Sequence, residues 1–341
     1  MALQASGQIK YSEIIAEFGT PNNGGIGEYR LSENVGSLSN LPLDTGVPQS
    51  GQIKFSDFYS KRLNHIVDLH SIGNNTSRQN AKDRWNNGNV HIVGSTKTGK
   101  TQPPDTIDDR VIINVNATIS STKGTQTHCA LRTGTWDSNT TLEIEIGTSG
   151  KLYGSGGDGG AGGSANETPG TDGQTGSSAL GIQYPCTINN LGVIQSGYGG
   201  GGGGGGNTRT TGGGKKGGAT TNGSSGGGGG GGAGLPAGSA GGVSTPLSQG
   251  GGSAGSAGQA GSLSGQATGG AGGSEAGAGG NSSPVNNSAT KADNGATASG
   301  AASPGTGGNN GYAIITNQGS APSLSGGGTL TGRTITSTNP T

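Results

Sequence analysis

Bulky side chains are scarce in this sequence. Of its 341 residues 26% are hydrophobic and 4% aromatic, below the ordinary globular share, so an oily core can fill only part of the fold. Charge is equally thin, at 11% of residues, and 19 basic and 19 acidic side chains give a formal net charge of zero. Without a net field nothing draws in DNA or an anionic membrane surface, which sets nucleic acid aside as a partner. The two cysteines, Cys129 and Cys186, make neither a disulfide framework nor a metal knuckle, because no second pair stands at ligand spacing. Free thiols are expected, with no metal and no cofactor. No window approaches a membrane span, and the stretch Met1 to Gln8 lacks the basic-then-apolar pattern of a secretory leader. The reading is a chain made and folded in a cytoplasm, without membrane insertion.

What is abundant is glycine, and it is unevenly placed. Of the 79 glycines, 16 lie in residues 1–150 and 63 in residues 151–341, about one residue in three there. Charge runs the other way, since only 11 of the 38 charged residues lie after Gly150. Neither ion pairs nor a hydrophobic core can hold that half together.

The first 64 residues contain a duplication. Ser6-Gly7-Gln8-Ile9-Lys10-Tyr11-Ser12-Glu13-Ile14 returns as Ser50-Gly51-Gln52-Ile53-Lys54-Phe55-Ser56-Asp57-Phe58. In each copy a serine followed by an acid and bulky apolar residues reads as the N-cap of a short helix, and the first copy stops at Gly19, where a C-cap glycine belongs. Between the copies, Leu41 to Pro48 is rich in proline and predicts an extended connection. So small a module is expected to order against another protein as an attachment segment, the alternative being a flexible leader.

Residues 65–150 are the most ordinary part of the chain. Strand patterns occur at Val90–Val93, Val111–Ile119 and Leu142–Ile146, and the last puts Leu142, Ile144 and Ile146 on one face against Glu143 and Glu145 on the other. They predict a small antiparallel β domain with Trp85 and Trp136 as core anchors.

Beyond Gly150, glycine runs such as 199–206, 226–232 and 250–280 are separated by short polar inserts. Disorder is the default for such tracts, because glycine loses more backbone entropy on ordering than any other residue and buries no side chain. A local threefold pattern opposes that default: Gly252, Gly255, Gly258 and Gly261 recur with only Ser, Ala and Gln between them. Period three belongs to the polyproline II helix, which has no internal hydrogen bonds. Neighbours free of Cβ atoms can approach until each N–H meets a carbonyl on the next helix, and the backbone accounting then closes without an oily core. Collagen is excluded, since 13 prolines and no unbroken register do not make a triple helix. The inserts, with their Pro, Asn, Ser and Thr, are expected to reverse the chain between runs. The predicted architecture is thus mostly irregular and β: a helical attachment segment over 1–64, a small antiparallel β domain over 65–150 and a bundle of polyglycine II helices over 151–341.

One motif imitates an enzyme. Gly94-Ser95-Thr96-Lys97-Thr98-Gly99-Lys100-Thr101 matches the phosphate-binding loop pattern after a strand. That loop works only when a helix starts at its lysine and aims N–H groups at the phosphates, whereas here Gln102-Pro103-Pro104-Asp105 follows at once. A polar turn is the expected reading, and the chain is not read as an enzyme. His65, His70, His91 and His128 show no metal or catalytic spacing and read as core or surface histidines.

The stretch Gly150-Lys151-Leu152-Tyr153-Gly154-Ser155-Gly156-Gly157-Asp158-Gly159-Gly160, then Thr187 to Ile194 leading into Gly199–Gly206, resembles the receptor-recognising adhesin that caps long tail fibres of T-even-type phages. In that family an entry strand, a first glycine run, a short apolar return and long glycine runs come in this order. The resemblance covers roughly residues 141–341. The first 64 residues resemble instead the repeated Ser-Gly-Gln-Ile-Lys modules of marine phage structural proteins, which implies a different docking site on the virion. Ile9, Tyr11, Ile14, Ile53, Phe55 and Phe58 are the candidate contacts to other tail or tail-fibre proteins. The resemblance further implies a location on the virion tail or fibre tip after assembly in the host cytoplasm. It also implies a bacterial surface receptor, protein or lipopolysaccharide, read by loops between polyglycine helices. The candidate loop residues are Asn207, Thr208, Arg209, Thr210, Lys215, Lys216, Leu235, Pro236, Thr245, Pro246, Leu247, Pro284 and Val285. No aromatic residue occurs between Tyr198 and Tyr312, so each loop contact is expected to be weak and several fibres to act together. The competing readings are a purely structural cap or spacer on the tail, and an ice-binding bundle, which the irregular inserts oppose.

Overall fold

The computed structural model describes residues 3–69, 76–101, 109–163, 169–203, 207–211, 220–224, 231–242 and 305–341. It is mostly β, with few and short helices.

The N-terminal segment folds onto the rest of the chain. Helix α1 (Tyr11–Phe18) starts at Lys10, not at the serine of the duplicated motif, and the second copy makes only a 3-10 turn over Phe55–Phe58. The two copies share a different device from the expected serine cap. In each, the acid three residues on accepts the lysine backbone N–H, Glu13 from Lys10 and Asp57 from Lys54, both at 2.7 Å. The glycine opening each motif has positive φ, +95° at Gly7 and +75° at Gly51, a conformation that costs a side chain energy. Phe18, Tyr29 and Phe58 pack edge to face with centroids 5.5–6.0 Å apart. A short hairpin, β1 (Ser32–Val35) and β2 (Leu38–Pro42), completes the segment.

The expected attachment segment therefore does not wait for a partner to order it. Its core is continuous with Ile66, Ile92, Val93 and Ile112 from beyond residue 64, and Leu3 is tied by a backbone bond to Lys61. Ile9, Ile14 and Phe58 lie inside this core, which removes them as contacts to another protein. Tyr11 and Ile53 are half-buried, and Phe55 is 42% exposed.

Beyond the segment the strands wind into three-sided coils. The first coil is β3 (Asn64–Asp68), β4 (Thr76–Ser77) and β5 (Gln79–Asn80), after which come helix α2 (Ala81–Asn86), the short β6 (His91–Ile92) and helix α3 (Ser95–Thr98). The second is β7 (Arg110–Val115), β8 (Thr118–Ser120) and β9 (Cys129–Arg132), and the third β10 (Thr141–Ile146), β11 (Lys151–Tyr153) and β12 (Ser178–Ile182). The fourth begins with β13 (Thr187–Asn190) and β14 (Val193–Gln195) and, after a small antiparallel pair, β15 (Asn207–Thr211) with β16 (Thr220–Ser224), closes with β17 (Tyr312–Thr316). The fifth is β18 (Ser323–Ser325), β19 (Thr329–Thr331) and β20 (Arg333–Ile335). Each coil gives one strand to each of three parallel sheets, in the orders β18-β13-β10-β7-β3-β6, β19-β14-β11-β8-β4 and β20-β17-β12-β9-β5. The molecule is a parallel β-helix in which β6 alone of these strands pairs antiparallel, with β3.

Two expectations are thereby corrected. The β domain is parallel, not antiparallel: alternation marks a strand and its inner face, but neighbours here stand one whole coil apart and no hairpin turn joins them. Nor do the strands stop at residue 150, since β10 pairs β13, and β13 pairs β18. The run expected as one strand over Val111–Ile119 is two, bent at a corner between Val115 and Thr118 where Gly147 N–H donates to Val115 and Lys151 N–H to Ala117. Interior side chains stack by register: Val67–Ile113–Ile144–Ile188 on one sheet, Ile119–Leu152–Ile194 on the next and Leu131–Leu180–Ile314 on the third, all fully or nearly buried. Trp85 and Trp136 are buried as expected and meet edge to face at 5.5 Å. The two cysteines are free, and burial pushes both thiols up to about 12.

His65 sits in the interior beside Trp85, 5.3 Å between ring centroids. Burial lowers its pKa from 6.5 to about 4. A histidine with a depressed folded pKa favours the native state while neutral, so its contribution is complete above pH 6.5 and is lost as the pH falls to about 4. The full difference is about 3 kcal/mol. Chemical denaturation of wild type and His65→Phe between pH 7 and 4 is expected to show a steeper loss in the wild type over that window. Parallel curves would mean that His65 takes up its proton over the same pH range in the native and the unfolded chain.

Candidate functional site

All the described glycine segments leave the β-helix at one corner. That corner, between the second and third sheets, is a single residue in the fifth coil, Gly332 between β19 and β20, and the eight residues 121–128 in the second. In the third coil it opens between β11 and β12 to admit 154–177, and in the fourth between β14 and β17 to admit 196–311. Strand pairing on either side is uninterrupted, so the insertions are carried on a fixed frame.

Outgoing and returning segments are joined by backbone bonds at three-residue intervals. The amides of residues 154, 157 and 160 donate to the carbonyls of 195, 198 and 201, all at 2.8 Å. Those of 197, 200 and 203 donate to 177, 174 and 171, and those of 311, 308 and 305 donate in turn to 197, 200 and 203. Residues 171–177 and 305–311 run side by side, with Gly173 bonded to Thr306 and Gly176 to Asn309. A Cβ at Gly157, Gly160, Gly173, Gly200, Gly203, Gly305 or Gly308 would fall within 3.0 Å of a backbone atom of the neighbouring segment. The segment 196–203 is buried throughout. The glycines recurring at 252, 255, 258 and 261 lie outside the described residues.

Side chains occur where the neighbour is not in the way, and some lock the segments. Asp158 receives Lys123 at 2.5 Å and the Ser239 N–H at 2.6 Å. Burial pushes the Asp158 pKa up, but these hydrogen bonds and the lysine charge outweigh it and hold the carboxylate below its ordinary value. Lys123 belongs to the loop between β8 and β9, so this pair ties the insertion to its frame. Asp172 accepts the Thr306 N–H at 2.6 Å, which lowers its pKa. Sequence reading passed over both acids, although a lone carboxylate inside a glycine run was the available signal.

The insertion has two levels. At the root, Ser155, Ser177, Gly197 and Gly311 are linked in succession, and Leu235 N–H donates to Gly154. At the far level, Ala161, Thr171, Gly203 and Gly305 are linked likewise, and Gly162 donates to Gly242. The sequences 164–168, 204–230 and 243–304 continue from that far level.

The candidate loop residues are not all brought together. Asn207, Thr208, Arg209 and Thr210 fall on β15, paired with β16 in the register Asn207–Ser224 to Thr211–Thr220. Leu235 and Pro236 form a turn at the root, where Pro236 accepts from Gly156. This candidate loop lies beside the β-helix, because the run that precedes it returns there before the chain turns outward again. Lys215, Lys216, Thr245, Pro246, Leu247, Pro284 and Val285 lie outside the described residues.

The phosphate-loop motif holds a carboxylate instead of a phosphate. Glu33 accepts from Gly94 N–H at 2.6 Å and contacts His91 at 2.8 Å, and Lys100 Nζ donates to the Ala16 carbonyl at 2.6 Å. The helix there, Ser95–Thr98, ends at Gly99, before that lysine. Among the described residues no cluster of His, Cys, Asp or Glu could hold a metal ion.

A family model described as "Phage tail fibre adhesin Gp38" matches residues 86–335. No curated protein matches the chain. One solved structure, "Crystal structure of the gp37-gp38 adhesin tip complex of the bacteriophage S16 long tail fiber", is similar at 18% identity, with 96% of this chain and 99% of that chain covered and a TM-score of 0.34.

The glycine packing makes a position-specific prediction. Gly157→Ala places a methyl against the Gln174 carbonyl, whereas Gly242→Ala meets nothing within 4 Å. The first is expected to destabilise the chain by about 3 kcal/mol and the second by less than about 0.5 kcal/mol, read from urea unfolding. Equal effects would remove close backbone approach as the basis of the packing.

Proposed function

We propose that this chain, which belongs to the phage tail fibre adhesin family Gp38, is held on the virion tail fibre and reads a host-surface receptor with the loops at the far end of its glycine insertion. The observation that carries this reading is the shared corner. Two consecutive coils open at the same place, and the described residues Ala161, Thr171, Gly203 and Gly305 meet at one level, so loops continuing from there would make several weak contacts together.

The three-residue bonding interval and the exclusion of Cβ atoms support polyglycine II helices as the supporting structure. On that geometry the six steps from Ser155 to Ala161 hold the far level about 19 Å from the root. A bundle of this kind is stiff because every facing amide is bonded, and it keeps the recognition loops clear of the fibre at no cost in hydrophobic surface. The candidate contacts that fit are those following the far level in sequence: Asn207 to Thr210, Lys215, Lys216, Thr245, Pro246, Leu247, Pro284 and Val285. Leu235 and Pro236, at the root, drop out of the proposed surface. Host-surface protein or lipopolysaccharide both suit loops built of hydroxyl, amide and a few basic groups.

Competition for adsorption tests the reading. Purified full chain in excess is expected to block phage adsorption to its host, and the triple variant Arg209→Ala, Lys215→Ala, Lys216→Ala to need at least about tenfold more protein, as expected when two or three modest polar contacts are lost. Wild-type chain that binds no host cell at any concentration would leave a structural cap as the better account. Amide exchange supplies the second measurement: slow exchange at Gly157, Gly200 and Gly308 with fast exchange over 212–219 is the expected pattern.

A further inference from the structure

The duplicated motif is not explained by the recognition of a host. Its two copies bring the same position together: Tyr11 of the first and Phe55 of the second meet edge to face at 6.3 Å. Tyr11 is anchored by its hydroxyl to the Gly24 carbonyl at 2.9 Å, while Phe55 stays 42% exposed. Half-buried Ile53 stands two residues before it in sequence. The residue before each aromatic is a lysine, Lys10 and Lys54, and both are exposed.

The charges around this patch are sorted by sign. Residues 1–64 contain six acids, Glu13, Glu17, Glu28, Glu33, Asp44 and Asp57. Five of them accept backbone N–H groups, Glu13 from Lys10, Glu17 from Leu63, Glu33 from Gly94, Asp44 from Arg62 and Asp57 from Lys54, at 2.6–2.8 Å. Only Glu28 is both exposed and outside this set. The other bases point elsewhere: Arg30 donates to Gly51, Lys61 to Thr45 at 2.7 Å and Arg62 to Asn139 at 3.0 Å. What stays exposed at the paired motifs is the Phe55 ring, with an exposed lysine next in sequence before each of the two aromatics. Exposed aromatics among unspent like charges are costly to keep in water and favour an interface.

We propose that Phe55 and Tyr11, flanked by Lys10 and Lys54, dock this chain onto a fibre protein whose surface sets acidic side chains around an apolar pocket. This rests on the tail-fibre reading above and names the chemistry of its attachment. The duplication then has a purpose: two copies are needed to pair the aromatics, and each brings its own exposed lysine. Recognition by charge and one buried ring gives an association that is fast and salt-sensitive.

Particles of a phage lacking this gene, mixed with purified full-length chain, provide the probe. Wild-type chain is expected to load onto them, and to load less as sodium chloride is raised. Phe55→Ser and the double reversal Lys10→Glu, Lys54→Glu are each expected to lower loading at least tenfold with an unchanged thermal midpoint. The triple variant of Arg209, Lys215 and Lys216 is expected to load normally. Normal loading by both N-terminal variants beside wild type would overturn the docking site alone. Failure of the wild type to load would overturn the tail-fibre attachment and this site with it.

Discussion

The insertion depends on the distance at which two backbones can approach. A glycine segment makes no hydrogen bonds within itself, so each amide facing a neighbour is satisfied only if that neighbour's carbonyl comes to about 2.8 Å. At that separation a single Cβ on a facing position meets backbone atoms within 3.0 Å. Glycine is thus required at every third position, and the side chains in between, Asp158, Gln174 and Thr306 among them, are confined to the remaining directions.

Segments held only by their backbones still need a register, and the β-helix supplies it. Ser155 and Ser177 are placed at the root by β11 and β12, Gly197 and Gly311 by β14 and β17, and these strands are fixed in turn by interior ladders such as Ile119–Leu152–Ile194. Glycine runs alone could slide by three residues with no change in bonding. Anchoring both ends of each insertion in its own coil removes that freedom, and the Lys123–Asp158 pair pins the insertion again from the side.

The N-terminal segment closes the opposite face of the first sheet, over Ile66 and Ile112. Its acids are used as caps for backbone amides at bends and turns, a role in which a carboxylate is held by charge-assisted bonds. That use leaves Lys10, Lys54 and Phe55 outside, on a segment richer in charge than the glycine insertion.

The sequence by itself determined the chemistry of contact: which residues must be glycine, which strand faces are apolar, where Trp85 and Trp136 are buried, and that the duplicated motif is one device used twice. These are local matters, set by side-chain size and by periods of two and three. It also held the family resemblance that the comparison bears out. Only the tertiary structure decided the partners. Apart from β6, the strands of 65–150 pair in parallel because their neighbours are a coil away, a separation that alternation does not encode. Ile9, Ile14 and Phe58 were legible as apolar but not as inward, because burial depends on β3 and β7, which come later in the chain. Leu235 and Pro236 read like any other loop, and whether a turn falls at the root or the far end depends on the direction of each run. Glycine carries no side chain to mark that direction, so strands on either side of the insertion had to fix it.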